Sequence, residues 1–169
     1  MNARKKSEPK KISDYLPLIA LILVAFFGAL AINISVQGSF IQWKHYFMGL
    51  VFMQFALLKL FDISGFADGF QMYDLVAKKS RYYALSYPFI ELLLGLWYLT
   101  MWTPVLIYIL TIILMGVGAV GVVLSLQKGL KINCACMGTA LNVPLSTVTL
   151  TEDIGMGMLA FIMLIIHLC

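Results

Sequence analysis

The chain has 169 residues, 62% of them hydrophobic and only 12% charged, with a mean hydropathy of +0.93 and a formal net charge of +4. A soluble domain carries about twice that share of charge, and here the apolar residues come in blocks long enough to cross a bilayer. This excludes a water-soluble core and implies one all-α integral membrane bundle. The positive charge is clustered, which reads as membrane topology and gives no support to nucleic-acid binding.

Residues 1–14 are short, polar and basic, with Arg4, Lys5, Lys6, Lys10 and Lys11, and read as a cytoplasmic tail. The first apolar run, residues 15–32, shares its basic start with signal peptides. Its length and the want of a small-x-small cleavage site beyond it favour a retained transmembrane helix. A second run spans residues 45–60, with His45 expected at the interface and Lys59 at the far end. In residues 63–81, Phe66, Phe70, Tyr73 and Val76 or Ala77 recur at helical spacing, with Asp68, Asp74, Lys78 and Lys79 between them. That pattern predicts a short amphipathic helix along the membrane surface. The third span is expected over residues 82–100, with Trp97 and Trp102 near one interface. After a turn at Thr103-Pro104 the fourth runs to about residue 126. A polar connection, residues 127–150, leads to a rather short fifth span over residues 152–168, with Glu152 and Asp153 as its first turn and Thr149 or Thr151 as its cap.

The twelve Lys and Arg residues orient these spans. Eleven fall on one side, in the tail, between Lys59 and Arg81, and at Lys128 and Lys131, while Lys44 alone falls on the other. The expected topology is a bacterial inner-membrane protein with its amino terminus cytoplasmic, its carboxyl terminus external and residues 127–150 cytoplasmic.

Tyr83, Tyr87, Glu91 and Gly95 repeat every four residues and so form one stripe of the third span. Glu91 lies roughly 13 Å into that span at 1.5 Å per residue. A carboxylate at that depth needs a partner or a proton, and Lys59, on the preceding span and near the same membrane side, is the expected one. It is either a structural pin between helices or a participant in proton or electron chemistry. Gly118, Gly121 and Ser125 share one face of the fourth span, a pattern of close helix packing. Met156, Met163 and His167 lie near one face of the fifth, where they serve as core filler or as soft metal ligands.

Cys134 and Cys136 stand two residues apart beside a Met-Gly turn, in the connection between two apolar runs. Three cysteines cannot all pair within one chain, so a functional pair plus the terminal Cys169 is expected rather than a disulfide framework. The Cys-x-Cys spacing forces a small, strained ring if the sulfurs join, which favours disulfide donation. Equally, it favours two separate thiolate ligands for one soft ion such as copper(I).

The segment Leu57-Leu-Lys-Leu-Phe-Asp-Ile-Ser-Gly-Phe-Ala-Asp-Gly-Phe, followed by Tyr83-Ala-Leu-Ser-Tyr-Pro-Phe-Ile-Glu-Leu-Leu-Leu-Gly-Leu, resembles the DoxX-like four-helix membrane proteins. With Cys134-Ala-Cys136-Met-Gly and Leu141-Asn-Val-Pro-Leu-Ser, the chain looks most similar to the MauE branch, the methylamine-utilisation and redox-associated membrane proteins. The resemblance covers residues 45–169 and leaves the first span as an addition to a four-helix transmembrane bundle. It implies assistance with disulfide formation or electron delivery during maturation of a partner protein. Cys134 and Cys136 would be the thiol pair, with Gly138 shaping their turn. Lys59, Asp62, Gly65, Phe66, Pro88, Glu91 and Gly95 match the shared core pattern. The expected function is therefore membrane thiol–disulfide exchange or electron delivery, with Lys59 and Glu91 tuning or relaying a proton. The alternatives are soft-metal binding or transport through the same cysteines, and a non-catalytic assembly subunit of a membrane complex. A quinone near Tyr83, Tyr87 and Glu91 is the organic cofactor compatible with the pattern.

Overall fold

The structure is a computed structural model in which residues 16–127 and 145–168 are described. The basic tail, the paired Cys134 and Cys136, and Cys169 lie outside the described residues. The described chain is all α: α1 (Leu16–Ser35), α2 (Phe40–Phe61), α3 (Ile63–Phe70), α4 (Arg81–Thr100), α5 (Pro104–Gln127) and α6 (Leu145–Leu168).

Five of these helices have 20 to 24 residues, or roughly 30 to 36 Å at 1.5 Å per residue, the thickness of a bilayer's hydrocarbon core. Among the described residues, α1 and α5 are long and apolar enough to cross a membrane by composition alone. The bent pair α2 and α3 makes a third if counted as one span. The architecture is thus a multi-span helical bundle. α1 is apolar on every side and buries only Ala25 and Ala29, against α2, leaving Leu23, Val24 and Phe27 facing outward as a lipid-exposed helix does.

The central packing is α2 against α4 and α5 against α6. Gly49 and Gly95 set the first of these. A Cβ on either would stand 2.9 Å from the carbonyl oxygen of the other, so only glycine lets the two backbones come this close. α2 starts at Phe40, five residues before the sequence pattern suggests, because Ser39 caps it. The Ser39 hydroxyl accepts from the Gln42 amide and the Ser39 amide donates back to Gln42 Oε1 at 2.7 Å.

At the other end of α2 the chain turns by 101° into α3, whose first turn is capped by Asp62 accepting from the Gly65 amide at 2.9 Å. The amphipathic helix expected through Ala77 ends at Phe70 and continues as consecutive turns to Ser80. The reason is Asp74. Its Oδ1 accepts from the amides of Val76 and Ala77, at 2.9 and 2.7 Å, and offers the backbone a turn in place of a helix. Phe66, Phe70, Tyr73 and Ala77 still point inward together, packed with Tyr87 and Val122.

α6 corrects the sequence reading most. It begins at Leu145, directly after Pro144 in the sequence, so Glu152 and Asp153 lie in its third turn, not its first, and Thr149 and Thr151 are interior positions rather than caps. The helix has 24 residues and is no shorter than its neighbours.

Candidate functional site

Four side chains from three helices meet inside the bundle. α2 brings Lys59, two residues before the helix ends at the bend, and α4 brings Glu91 from the predicted stripe. α6 brings the adjacent Glu152 and Asp153. The Lys59 ammonium donates to both oxygens of Glu91, at 2.5 and 2.6 Å, and to Glu152 Oε1 at 3.4 Å. Lys59 is 2% exposed, Glu91 0%, Glu152 8% and Asp153 5%.

Aromatic rings enclose the charge. The Lys59 ammonium lies 5.2 Å from the Tyr87 ring centroid and 5.7 Å from that of Phe66, within cation–π range. Phe70 packs on Tyr87 at 4.5 Å and on Phe66 at 5.0 Å between centroids. Lys59, Tyr73, Tyr87, Glu152 and Asp153, with these phenylalanines, line a cavity of about 10 Å³, room for one water molecule.

α5 supplies space instead of charge. A Cβ at Gly118 would sit 2.7 Å from Asp153 Oδ2, and one at Gly121 would sit 2.8 Å from the Tyr73 carbonyl oxygen and 3.1 Å from the Asp74 Cα. The small-residue face of α5 is therefore packing, as its spacing suggests, and it admits two acidic residues to the interior.

Lys59 and Glu91 were legible as candidates; Glu152, Asp153 and Asp74 were not. Asp74 was expected on the polar side of a surface helix, yet it is fully buried. The spacing of Glu152, Asp153, Met156, Ala160 and Met163, all buried, is one helical face and was the available signal.

A second polar group lies toward the other end of α2. His45, expected at the interface, is 3% exposed, and its Nε2 is 2.6 Å from the Tyr108 hydroxyl. The Tyr98 hydroxyl pairs with Thr111 Oγ1 at 3.0 Å close by. In the α4–α5 turn, Trp97 Nε1 donates to the Trp102 carbonyl at 2.7 Å. Met156 and Met163 fill the core between the two polar groups, while His167 is exposed with its ring 6.3 Å from Tyr108. Among the described residues no three His, Cys, Asp or Glu side chains are placed to hold a metal ion.

Residues 37–166, well over half of the chain, match the family described as Methylamine utilisation protein MauE. The chain belongs to the MauE family. The match takes in the buried charge cluster and the cysteine-bearing connection, and it starts after α1. MauE membership supports a redox-associated role in the membrane. No curated protein and no solved structure matches the chain.

Proposed function

We propose that this chain carries out membrane thiol–disulfide exchange in support of a partner protein, with Cys134 and Cys136 as the exchanging pair. The observation that carries this reading is the cluster of Lys59, Glu91, Glu152 and Asp153. A MauE-family bundle would have little reason to bury one ammonium among three carboxylates for stability alone, since well-packed apolar side chains of similar volume serve as well or better. The cysteines belong to the connection that joins α5 to α6, and Glu152 stands seven residues, about 10 Å, from the start of α6. Proton-handling groups thus lie near the membrane end to which the thiol pair is tethered.

In the proposed step a thiolate of the pair attacks a sulfur of a partner disulfide, forming a mixed disulfide and releasing a partner thiolate. The second cysteine then attacks the mixed disulfide, closing Cys134–Cys136 and freeing the partner as a dithiol. Two electrons pass from the pair to the partner, and the reverse sequence oxidises the partner. Thiols must lose protons to attack, and released thiolates gain them. The role of Lys59 and Glu91 is to hold and exchange those protons.

The test uses membranes from cells carrying C134S or C136S in a C169S background, alkylated and run without reductant. Loss of the attacking cysteine abolishes the mixed disulfide, and loss of the resolving one makes it accumulate. A partner redox state unchanged in both variants, with no mixed disulfide in either, overturns the reading.

A further inference from the structure

Among the described residues, three buried oxygens without a hydrogen-bond partner lie along one face of α5: Asp153 Oδ2, Asp74 Oδ2 and Ser125 Oγ. Asp153 lies against Gly118 and Asp74 against Gly121, and Ser125 follows one turn further along the same face. From Gly118 to Ser125 is seven residues, roughly 10 Å along the helix axis, and the direction is toward Gln127, where the cysteine-bearing connection begins. Orphaned polar atoms in an interior are costly, and a row of them at helical spacing calls for an occupant.

Charge identifies that occupant. The titratable groups facing Asp153 are Lys59 from α2, Tyr87 and Glu91 from α4, Glu152 from α6, and Tyr73 and Asp74 from the α3–α4 connection, while α5 contributes Gly118, Gly121 and Ser125. One ammonium faces three carboxylates within the cluster and a fourth at Asp74. Lys59 is already engaged with Glu91 and Glu152. A fully ionised Asp153 would add an uncompensated charge to a dry interior, where such charges cost several kcal/mol or more. A metal ion is the poorer fit, because the described residues offer no three-ligand group.

We propose that Asp153 binds an exchangeable proton and that Asp153, Asp74 and Ser125 form a proton relay along the glycine face of α5. The cavity beside Asp153 has room for the single water that would link its carboxyl to the Lys59 cluster. Delivery of the proton to the thiol pair rests on the exchange reading above; the protonated aspartate itself does not.

Infrared spectroscopy of the purified full-length protein at neutral pH tests this. The expected spectrum contains a protonated-carboxyl band that moves on transfer to D2O and is lost in D153N but kept in D68N, a change at an exposed acid. In S125A and D74N the band remains and its deuterium exchange slows several-fold. Absence of the band in the unaltered protein, or its persistence in D153N, overturns the site. Should D153N fail to fold, D74N and S125A decide, and an unaltered exchange rate in both overturns the relay. The band together with inert cysteines would remove the thiol reading and leave the proton site. Active thiols without the band would do the reverse.

Discussion

The Lys59 ammonium bridges both carboxylate oxygens of Glu91, thirty-two residues further along the chain, at 2.5 and 2.6 Å with neither side chain reaching solvent. The pair ties α2 to α4 about one helical turn along α4 from their tightest point, where Gly49 meets Gly95.

Removing one member of a buried pair leaves the other charge uncompensated. K59M and E91L are each expected to cost about 3–5 kcal/mol in unfolding of the detergent-solubilised protein. The double variant should be less destabilised than the two losses combined, by roughly 0.5–3 kcal/mol. K59M should be the worse single change, because it also strips Glu152 of its cation. Strictly additive losses would mean that the two side chains do not interact in the folded protein.

The glycines make a prediction of opposite signs. G95A forces a Cβ to within 2.9 Å of the Gly49 carbonyl oxygen and 2.9 Å of the Met53 side chain, which should cost about 1–3 kcal/mol as overpacking. G116A meets nothing within 4 Å, and alanine's better helix propensity should stabilise by up to about 1 kcal/mol. Thermal denaturation of the two variants under one set of conditions checks this. Equal shifts at both positions would remove the close α2–α4 crossing.

The stripe through Tyr83, Tyr87, Glu91 and Gly95 was readable because four-residue spacing survives whatever the helix packs against. Lys59 was readable as its partner because a long cation one span away has few other acids to find. Glu152 and Asp153 escaped for a specific reason. Acids next to a run of apolar residues look like the dipole-compensating first turn of a helix, and that rule outweighed the proline at 144, the stronger start signal. Asp74 escaped because an aspartate between lysines and aromatics reads as the wet side of a helix. Only the fold reveals that its own side chain breaks that helix and turns it inward. His45 was placed at an interface by its position in the chain, and nothing in a single sequence announces that Tyr108, sixty-three residues away, closes over it.

Two polar pairs should separate by burial. Y108F deletes the hydroxyl that meets His45 Nε2 at 2.6 Å in the core, and leaves a buried ring nitrogen unsatisfied at a cost of about 1–3 kcal/mol. D68N breaks the exposed pair with Arg81, also 2.6 Å long, and an exposed pair is worth about 0–1 kcal/mol before salt screens it. Unfolding in low and high salt distinguishes them: the Y108F loss should be insensitive to salt and the D68N loss should vanish. A salt-sensitive Y108F effect would indicate that His45 is reached by solvent after all.

Under the proposed exchange, the orientation of the bundle decides which cellular compartment Cys134 and Cys136 serve. Eleven of the twelve Lys and Arg residues fall on the side of residues 127–150 if five helices cross the membrane, and cytoplasmic loops are the ones enriched in such charge. The cytoplasm keeps thiols reduced, so a pair there should react at once with a membrane-impermeant maleimide in permeabilised cells, without reductant, and not at all in intact cells. Replacing Cys169 first leaves Cys134 and Cys136 as the only targets. Labelling in intact cells, and only after reduction, would invert the bundle. The same exchange chemistry would then act on exported proteins, with Asp153 and Ser125 drawing protons from the opposite face.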